Sequence, residues 1–180
     1  QLLTLTALEF GNDTPSIAAF DVTELVHDLI NSSGILIQQN AAKVSVDMPE
    51  TLVVMGDEFK IEEVVTNYLT NAMNHLGGDH NIRIWSETLD GVAKIHVYNN
   101  GTPIPEEDLP NLWTKFYKVD KARTRAYGGS GIGLSIVKAI MEAHHQQYGV
   151  VNHEDGVEFW FTLALAPEKS EEEEQREENS

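Results

Sequence analysis

Within residues 58–76 the apolar positions Ile61, Val64, Val65, Tyr68, Leu69 and Ala72 fall three or four apart, the spacing of a long helix with one apolar stripe. Asp57 precedes it as a capping carboxylate. A helix of this kind must bury its stripe against a second layer. The flanking sequence supplies that layer as strands. Residues 44–48 alternate, 52–55 form a short apolar run closed by Gly56-Asp57, and 82–88 and 92–98 are joined by a turn at Asp90-Gly91. Residues 148–152 and 157–164 complete the strands. A short strand at Phe20 leads into a helix carrying Leu25, Val26, Leu29 and Ile30, and another helix is expected over 132–144. Strands and helices do not alternate strictly. The class is therefore α+β, a two-layer sandwich of a mixed β-sheet with helices on one face.

Three segments follow from the same reading. Residues 1–13 look like the last turns of a helix with a stop at Gly11-Asn12-Asp13, 14–166 form the folded domain, and 167–180 are an acidic low-complexity tail expected to be disordered. The 180 residues suffice for one core. No apolar run approaches the ~20 residues of a membrane span, and no signal-peptide pattern follows Gln1, so the chain reads as a segment of a longer protein. The lack of cysteine rules out disulfides and thiolate metal sites. The net charge is -17, of which the tail from residue 168 supplies -5 and the body -12. An acidic body argues against nucleic acid as a partner. Any bound anion has to be held by local groups and a metal.

Three motifs interrupt the core pattern. In the long helix, Asn67 and Asn71 share one face, with Glu63 a turn before and Asn74 and His75 a turn after. Such a stripe is either solvated or offers amide oxygens to a hard cation such as Mg²⁺. After a strand comes Asn99-Asn100-Gly101-Thr102-Pro103-Ile104-Pro105, which reads as a plain loop or as a polar acceptor beside a glycine that lets a planar ring approach. Last, Gly128-Gly129-Ser130-Gly131-Ile132-Gly133-Leu134 runs directly into a helix. It is either a flexible linker or an anion cradle of backbone N–H groups at a helix N-terminus. It is neither a dinucleotide fingerprint nor a P-loop.

In this order and at these separations the motifs resemble the N box and the two glycine boxes of the histidine-kinase ATPase family, whose fold also serves gyrase, a heat-shock chaperone and a mismatch-repair ATPase. Trp113, Phe116 and Tyr117 fall where that family has an aromatic box, and residues 116–123 and 128–138 are similar to phosphate and vancomycin-resistance sensor kinases. The opening residues 2–9 look like the end of the kinase dimerisation hairpin. The resemblance implies ATP and Mg²⁺ as ligands and the Bergerat ATP-binding fold. It makes Asn71 the Mg²⁺ ligand, Asn67 a polar group near the phosphates, and Asn74 and His75 neighbours of the same site. Asn99 stands where the family usually has an Asp that accepts from the adenine amino group. Gly101, Pro103 and Ile104 belong to that first glycine box, with Pro103 in place of its second glycine. Tyr117 would lie near the adenine, Lys118 and Arg123 near the phosphates, and 118–130 would form a lid. Gly129, Ser130, Gly131, Ile132, Gly133 and Leu134 make the second glycine box. Asn74 replaces a common Lys or Arg.

Hydrolytic members of this superfamily place a Glu, as general base, where this chain has Asn67; an amide takes no proton at neutral pH. The resemblance thus implies a catalytic domain with Asn67 and Asn71 at its centre, presenting Mg-ATP to a histidine on a separate dimerisation domain of the same protein. A response regulator would be the next partner. The isolated domain is expected to be a monomer and the parent a homodimer anchored in the bacterial cell membrane, with this domain in the cytoplasm. His27-Asp28-Leu29-Ile30-Asn31 only partly matches a phosphoacceptor motif, since Ser32 replaces its proline. His144-His145 falls where the family has His-Gly. A degenerate nucleotide-binding or interaction module, and an anti-sigma-type serine kinase, are alternatives on the same fold.

Overall fold

The computed structural model describes residues 14–114, 133–168 and 171–180. Seven strands form one sheet: β1 (Ala18–Asp21), β2 (Lys43–Asp47), β3 (Val53–Gly56), β4 (Asn81–Leu89), β5 (Val92–Asn100), β6 (Tyr148–His153) and β7 (Gly156–Leu165). Their order is β1-β3-β7-β5-β4-β2, with β6 pairing to β7 beside β3. The β2–β4 pair is parallel and the other pairs are antiparallel, so the sheet is mixed as the sequence implies. The β4–β5 hairpin turns at Asp90 and Gly91, both at positive φ (52° and 78°), the geometry of a type I′ turn.

The main helices are α1 (Val22–Ser32), α3 (Glu58–Asn74) and α4 (Gly133–Ala143), with a short α2 (Gly34–Gln39) after α1 and a 3₁₀ turn at Glu106–Asn111. Two aspartates start the first pair. The Asp21 carboxylate accepts from Thr23 N (3.0 Å) and also from Leu52 N (3.0 Å), which ties the start of α1 to the chain entering β3. The Asp57 carboxylate accepts from Lys60 N (3.3 Å) and, through its other oxygen, from Ser16 N (2.9 Å).

The apolar stripe of α3 is the centre of the core. Ile61, Val64, Val65, Tyr68, Leu69 and Ala72 are all buried, packed with Ile136, Val137, Ile140 and Met141 of α4 over Ile82, Ile84, Ile95, Val97, Phe159 and Phe161 of the sheet. The outward face of the sheet is covered by its own side chains. Trp85 stacks on His96 at 4.6 Å, the Lys94 ammonium sits 4.2 Å over Trp160, and Glu158 bonds both His96 Nδ1 and His153 Nε2. One stretch differs from expectation. The acidic tail read as disordered forms a further helix, α5 (Glu171–Glu178), exposed along 172–178. Its sequence contains good helix formers only, with no Gly, Pro or β-branched residue to interrupt them.

Candidate functional site

The polar stripe of α3 is half-buried at Glu63, Asn67, Asn71 and Asn74, beside the buried Val64, Tyr68 and Ala72 of the core face. Two contacts fix what this stripe faces. Asn67 Nδ2 donates to the Glu63 carbonyl (2.9 Å), and its Oδ1 lies against the first residue of α4: a methyl-sized group on Gly133 would come within 3.1 Å of it. The absence of a side chain at Gly133 therefore lets the start of α4 reach α3 at Asn67. Four residues beyond Asn71, the carbonyl of His75 (the residue after α3) accepts from Asn99 Nδ2 (3.3 Å), and Gly101 packs against that same carbonyl so closely that any Cβ there would overlap it. Asn71 is thus one helical turn from each contact, between the end of β5 and the beginning of α4.

Asn99 is almost fully buried at 1% exposure. Its amide NH₂ is committed to two carbonyls, that of His75 and that of Asn100 (3.0 Å). What Asn99 can offer a third group is an acceptor. Next to it, Asn100 Oδ1 accepts from Asn81 N (3.0 Å) and Asn100 Nδ2 donates to the Tyr98 hydroxyl (2.9 Å). Burial, then the hydrogen-bonded Asp155 carboxylate, raises the Tyr98 pKa. Ile104 is held at both ends of its peptide by Asn152, whose Oδ1 accepts from Ile104 N (3.0 Å) and whose Nδ2 donates to Ile104 O (2.7 Å). Pro103 is half-buried beside it, and Leu134 packs on the core as the second residue of α4. Trp113, from the aromatic box, packs edge-on to Tyr148 (4.8 Å) and Phe159 (5.9 Å).

The structure therefore brings Asn67 to Gly133, and His75 to Asn99 and Gly101. Phe116, Tyr117, Lys118, Arg123, Gly129, Ser130, Gly131 and Ile132 lie outside the described residues, as do the lid 118–130 and the hairpin remnant 1–13. Gly101 has a nearer role than admitting a ring: it lets the end of β5 meet the end of α3. The sequence reading gives Asn100 no role beyond the loop and Tyr98 and Asn152 none beyond their strands. The period of β5 could have indicated the first two, since Asn99 continues the inward set Ile95 and Val97, whereas Tyr98 and Asn100 continue the outward set.

This donor set fits a nucleotide and its metal. An amide oxygen on a half-buried helix face suits a hard cation, a buried acceptor suits an exocyclic amino group, and the helix start at Gly133 suits an anion. Residues 56–167 match the family model described as "Histidine kinase-, DNA gyrase B-, and HSP90-like ATPase", and the chain belongs to that family. Among its relatives, the sensor protein VanSB of Enterococcus faecalis is 32% identical over 163 residues, covering 91% of this chain and 36% of VanSB. The nucleotide-free catalytic domain of histidine kinase ThkA matches with a TM-score of 0.74 at 27% identity, covering 83% of this chain and 96% of that one. A second ThkA structure, in complex with the response regulator protein TrrA, matches with a TM-score of 0.74 at 28% identity, covering 94% of this chain and 48% of that one. The family and fold read from the three motifs are those the comparisons find. The chain spans about a third of the length of VanSB and about half of the ThkA chain in the complex, whereas it matches nearly the whole of the isolated ThkA catalytic domain.

Proposed function

We propose that this chain is the ATP-binding catalytic domain of a two-component sensor histidine kinase, presenting Mg-ATP to a histidine on a separate dimerisation domain. The observation that carries the reading is the position of Asn71, one turn from the Asn67–Gly133 contact and one turn from the His75–Asn99–Gly101 contact. When bound, Mg²⁺ neutralises phosphate charge and the nucleotide supplies a transferable γ-phosphoryl group. Asn71 offers the amide oxygen for the metal. Asn99 offers the acceptor for the adenine amino group, with His75, Gly101, Pro103 and Ile104 framing that end, and Asn74 stands where the family has a phosphate-binding Lys or Arg. Gly133 and Leu134 open the helix at which the phosphates are received, together with Gly129, Ser130, Gly131 and Ile132. Tyr117, Lys118 and Arg123 complete the site by resemblance.

Asn67 decides what the site cannot do. Its amide is no base, so water is not activated from the position where hydrolytic relatives carry Glu. Catalysis then rests on orienting the nucleotide for an external imidazole. VanSB and ThkA, by their names a sensor protein and a histidine kinase, support this reading, as does the ThkA complex with a response regulator. The partners proposed are the parent's own phosphoacceptor domain and a response regulator. No helix among the described residues is long and apolar enough to cross a membrane; anchoring in the bacterial membrane is assigned to the parent, and this domain to its cytoplasmic side. Calorimetric titration tests the site. Asn71→Ala should weaken Mg²⁺-dependent ATP binding by at least about tenfold, while Asn31→Ala, on the exposed end of α1, should not. Equal effects would remove Asn71 from the metal site.

A further inference from the structure

We infer that Asn152 is a positioning residue for the nucleotide: through Ile104 it sets residues 101–105 as a fixed wall of the proposed site before any ligand arrives. This rests on the proposed placement of that site between the end of β5 and the beginning of α4. The sequence of the segment explains why it needs an outside hold. Pro103 and Pro105 have no N–H, so Ile104 carries the only backbone donor of the three. Thr102 and Ile104 each precede a proline, which biases both toward extended backbone. An extended segment with one donor in three residues makes a poor sheet strand. What it can use is a single donor–acceptor pair at the one peptide position that has both groups.

Asn152 supplies that pair. Its Oδ1 accepts from Ile104 N (3.0 Å) and its Nδ2 donates to Ile104 O (2.7 Å), so one amide side chain stands in for a neighbouring strand. An aspartate, which when ionised only accepts, cannot repeat this. Asn152 is itself fixed within β6, opposite the buried Val157 of β7. The turn that follows it holds the other end of the segment, where Asp155 O accepts from Gly101 N (3.0 Å). From the opposite side Gly101 is pressed against His75 O at the end of α3, and Ile104 packs on the core. The β6–β7 hairpin thus holds both ends of the segment, and the wall meets the proposed site at His75 and Asn99.

Amide hydrogen exchange and calorimetry on this chain test the assignment. In the wild type the Ile104 amide should be protected without nucleotide, and Mg-ATP should leave that protection unchanged. An Ile104 amide that is open in the free chain and protected only with Mg-ATP would mean that the ligand builds the wall, and would overturn the inference. Asn152→Ala and Asn152→Asp should both open the Ile104 amide and weaken Mg-ATP binding by about tenfold, the cost of losing a preset wall. Tyr68→Phe, which loses a hydrogen bond within the core, is the control for stability alone and should bind Mg-ATP as the wild type does. A loss there as large as in the Asn152 variants would assign the effect to stability. Asn152 variants that open the Ile104 amide yet bind Mg-ATP normally would show that the wall does not position the nucleotide, and weaker binding with Ile104 still protected would show that Asn152 acts elsewhere. Each of these three results overturns the inference and leaves the proposed site standing. A wild-type chain that does not bind Mg-ATP removes the site and the inference together.

Discussion

His144 joins three elements through one ring. Its Nδ1 donates to the Ile140 carbonyl (2.8 Å), and its Nε2 accepts from Asp57 N (3.0 Å), at the junction of β3 and α3. Only the neutral ring with its proton on Nδ1 satisfies both, because a second proton would face the Asp57 N–H. Burial lowers the His144 pKa below its usual 6.5, and Lys60 adds to this, against opposing pulls from the Ile140 carbonyl and the Asp57 carboxylate. The sign follows from proton counts. Between the lowered folded value and 6.5 the unfolded chain binds more protons, so this contribution to stability is complete above 6.5 and declines as the pH falls below it. Denaturant unfolding at pH 7.5 and 5.5 should show it: the stability advantage of wild type over His144→Leu shrinks at the lower pH. An advantage independent of pH would mean that the ring is not held neutral. A second residue tests a buried hydrogen bond. Tyr68 is wholly buried, and its hydroxyl donates to the Trp160 carbonyl (2.9 Å). Tyr68→Phe should cost about 1 kcal/mol and leave ATP affinity unchanged, as checked by unfolding and calorimetry.

At the scale of elements, α4 ends at a residue in the left-handed region. His145 has φ 55°, with its N–H bonded to Glu142 O (3.0 Å) and the Gln146 N–H to Met141 O (3.0 Å), the pattern of a helix end that favours glycine. His145→Gly should therefore stabilise the fold by about 1 kcal/mol, measurable as a shifted denaturation midpoint; a loss of stability would show that the side chain is needed. The same element shows what sequence makes legible. The α3 and α4 stripes were readable because each buries a full face at helical spacing. The β4–β5 hairpin was readable because Asp90-Gly91 demands positive φ. The short α2 was not, since its six residues leave Ile35 and Leu36 exposed and so write no amphipathic pattern. The 3₁₀ turn at Glu106–Asn111 was hidden by Pro105 and Pro110, which read equally well as loop.

Across the whole molecule, the motif order identified the family, but the strand order could not be read. Pairing of β3 with β7 joins Val54 to Leu165, and nothing local specifies a partner so distant. The same limit hid the Asn152–Ile104 clamp and the junction at His144, both made by residues far apart in sequence. Within the proposed site, Asn67 and Asn71 stand out by type and spacing, and Asn99 by resemblance to the family. The bonds from the Asn99 amide to the His75 and Asn100 carbonyls were not legible, because main-chain groups have no identity in a sequence. The outward sheet face also bears on assembly. Among the described residues that face carries Trp85, His96, Tyr98 and Trp160 with charged side chains set among them, and we propose that the isolated chain sediments as a monomer. Sedimentation as a stable dimer would contradict this.

The central claim is that the site holds ATP for an external histidine and does not spend it on water. The direct test is the steady-state fate of labelled ATP with Mg²⁺ and the isolated chain. With an amide at Asn67 in place of a carboxylate, the account predicts very slow turnover and no label retained on the chain, including at the exposed His27. Rapid multiple-turnover hydrolysis that is abolished by Asn71→Ala but unchanged by Asn67→Ala would contradict it, and would point to Glu63, one turn earlier on α3, as the base.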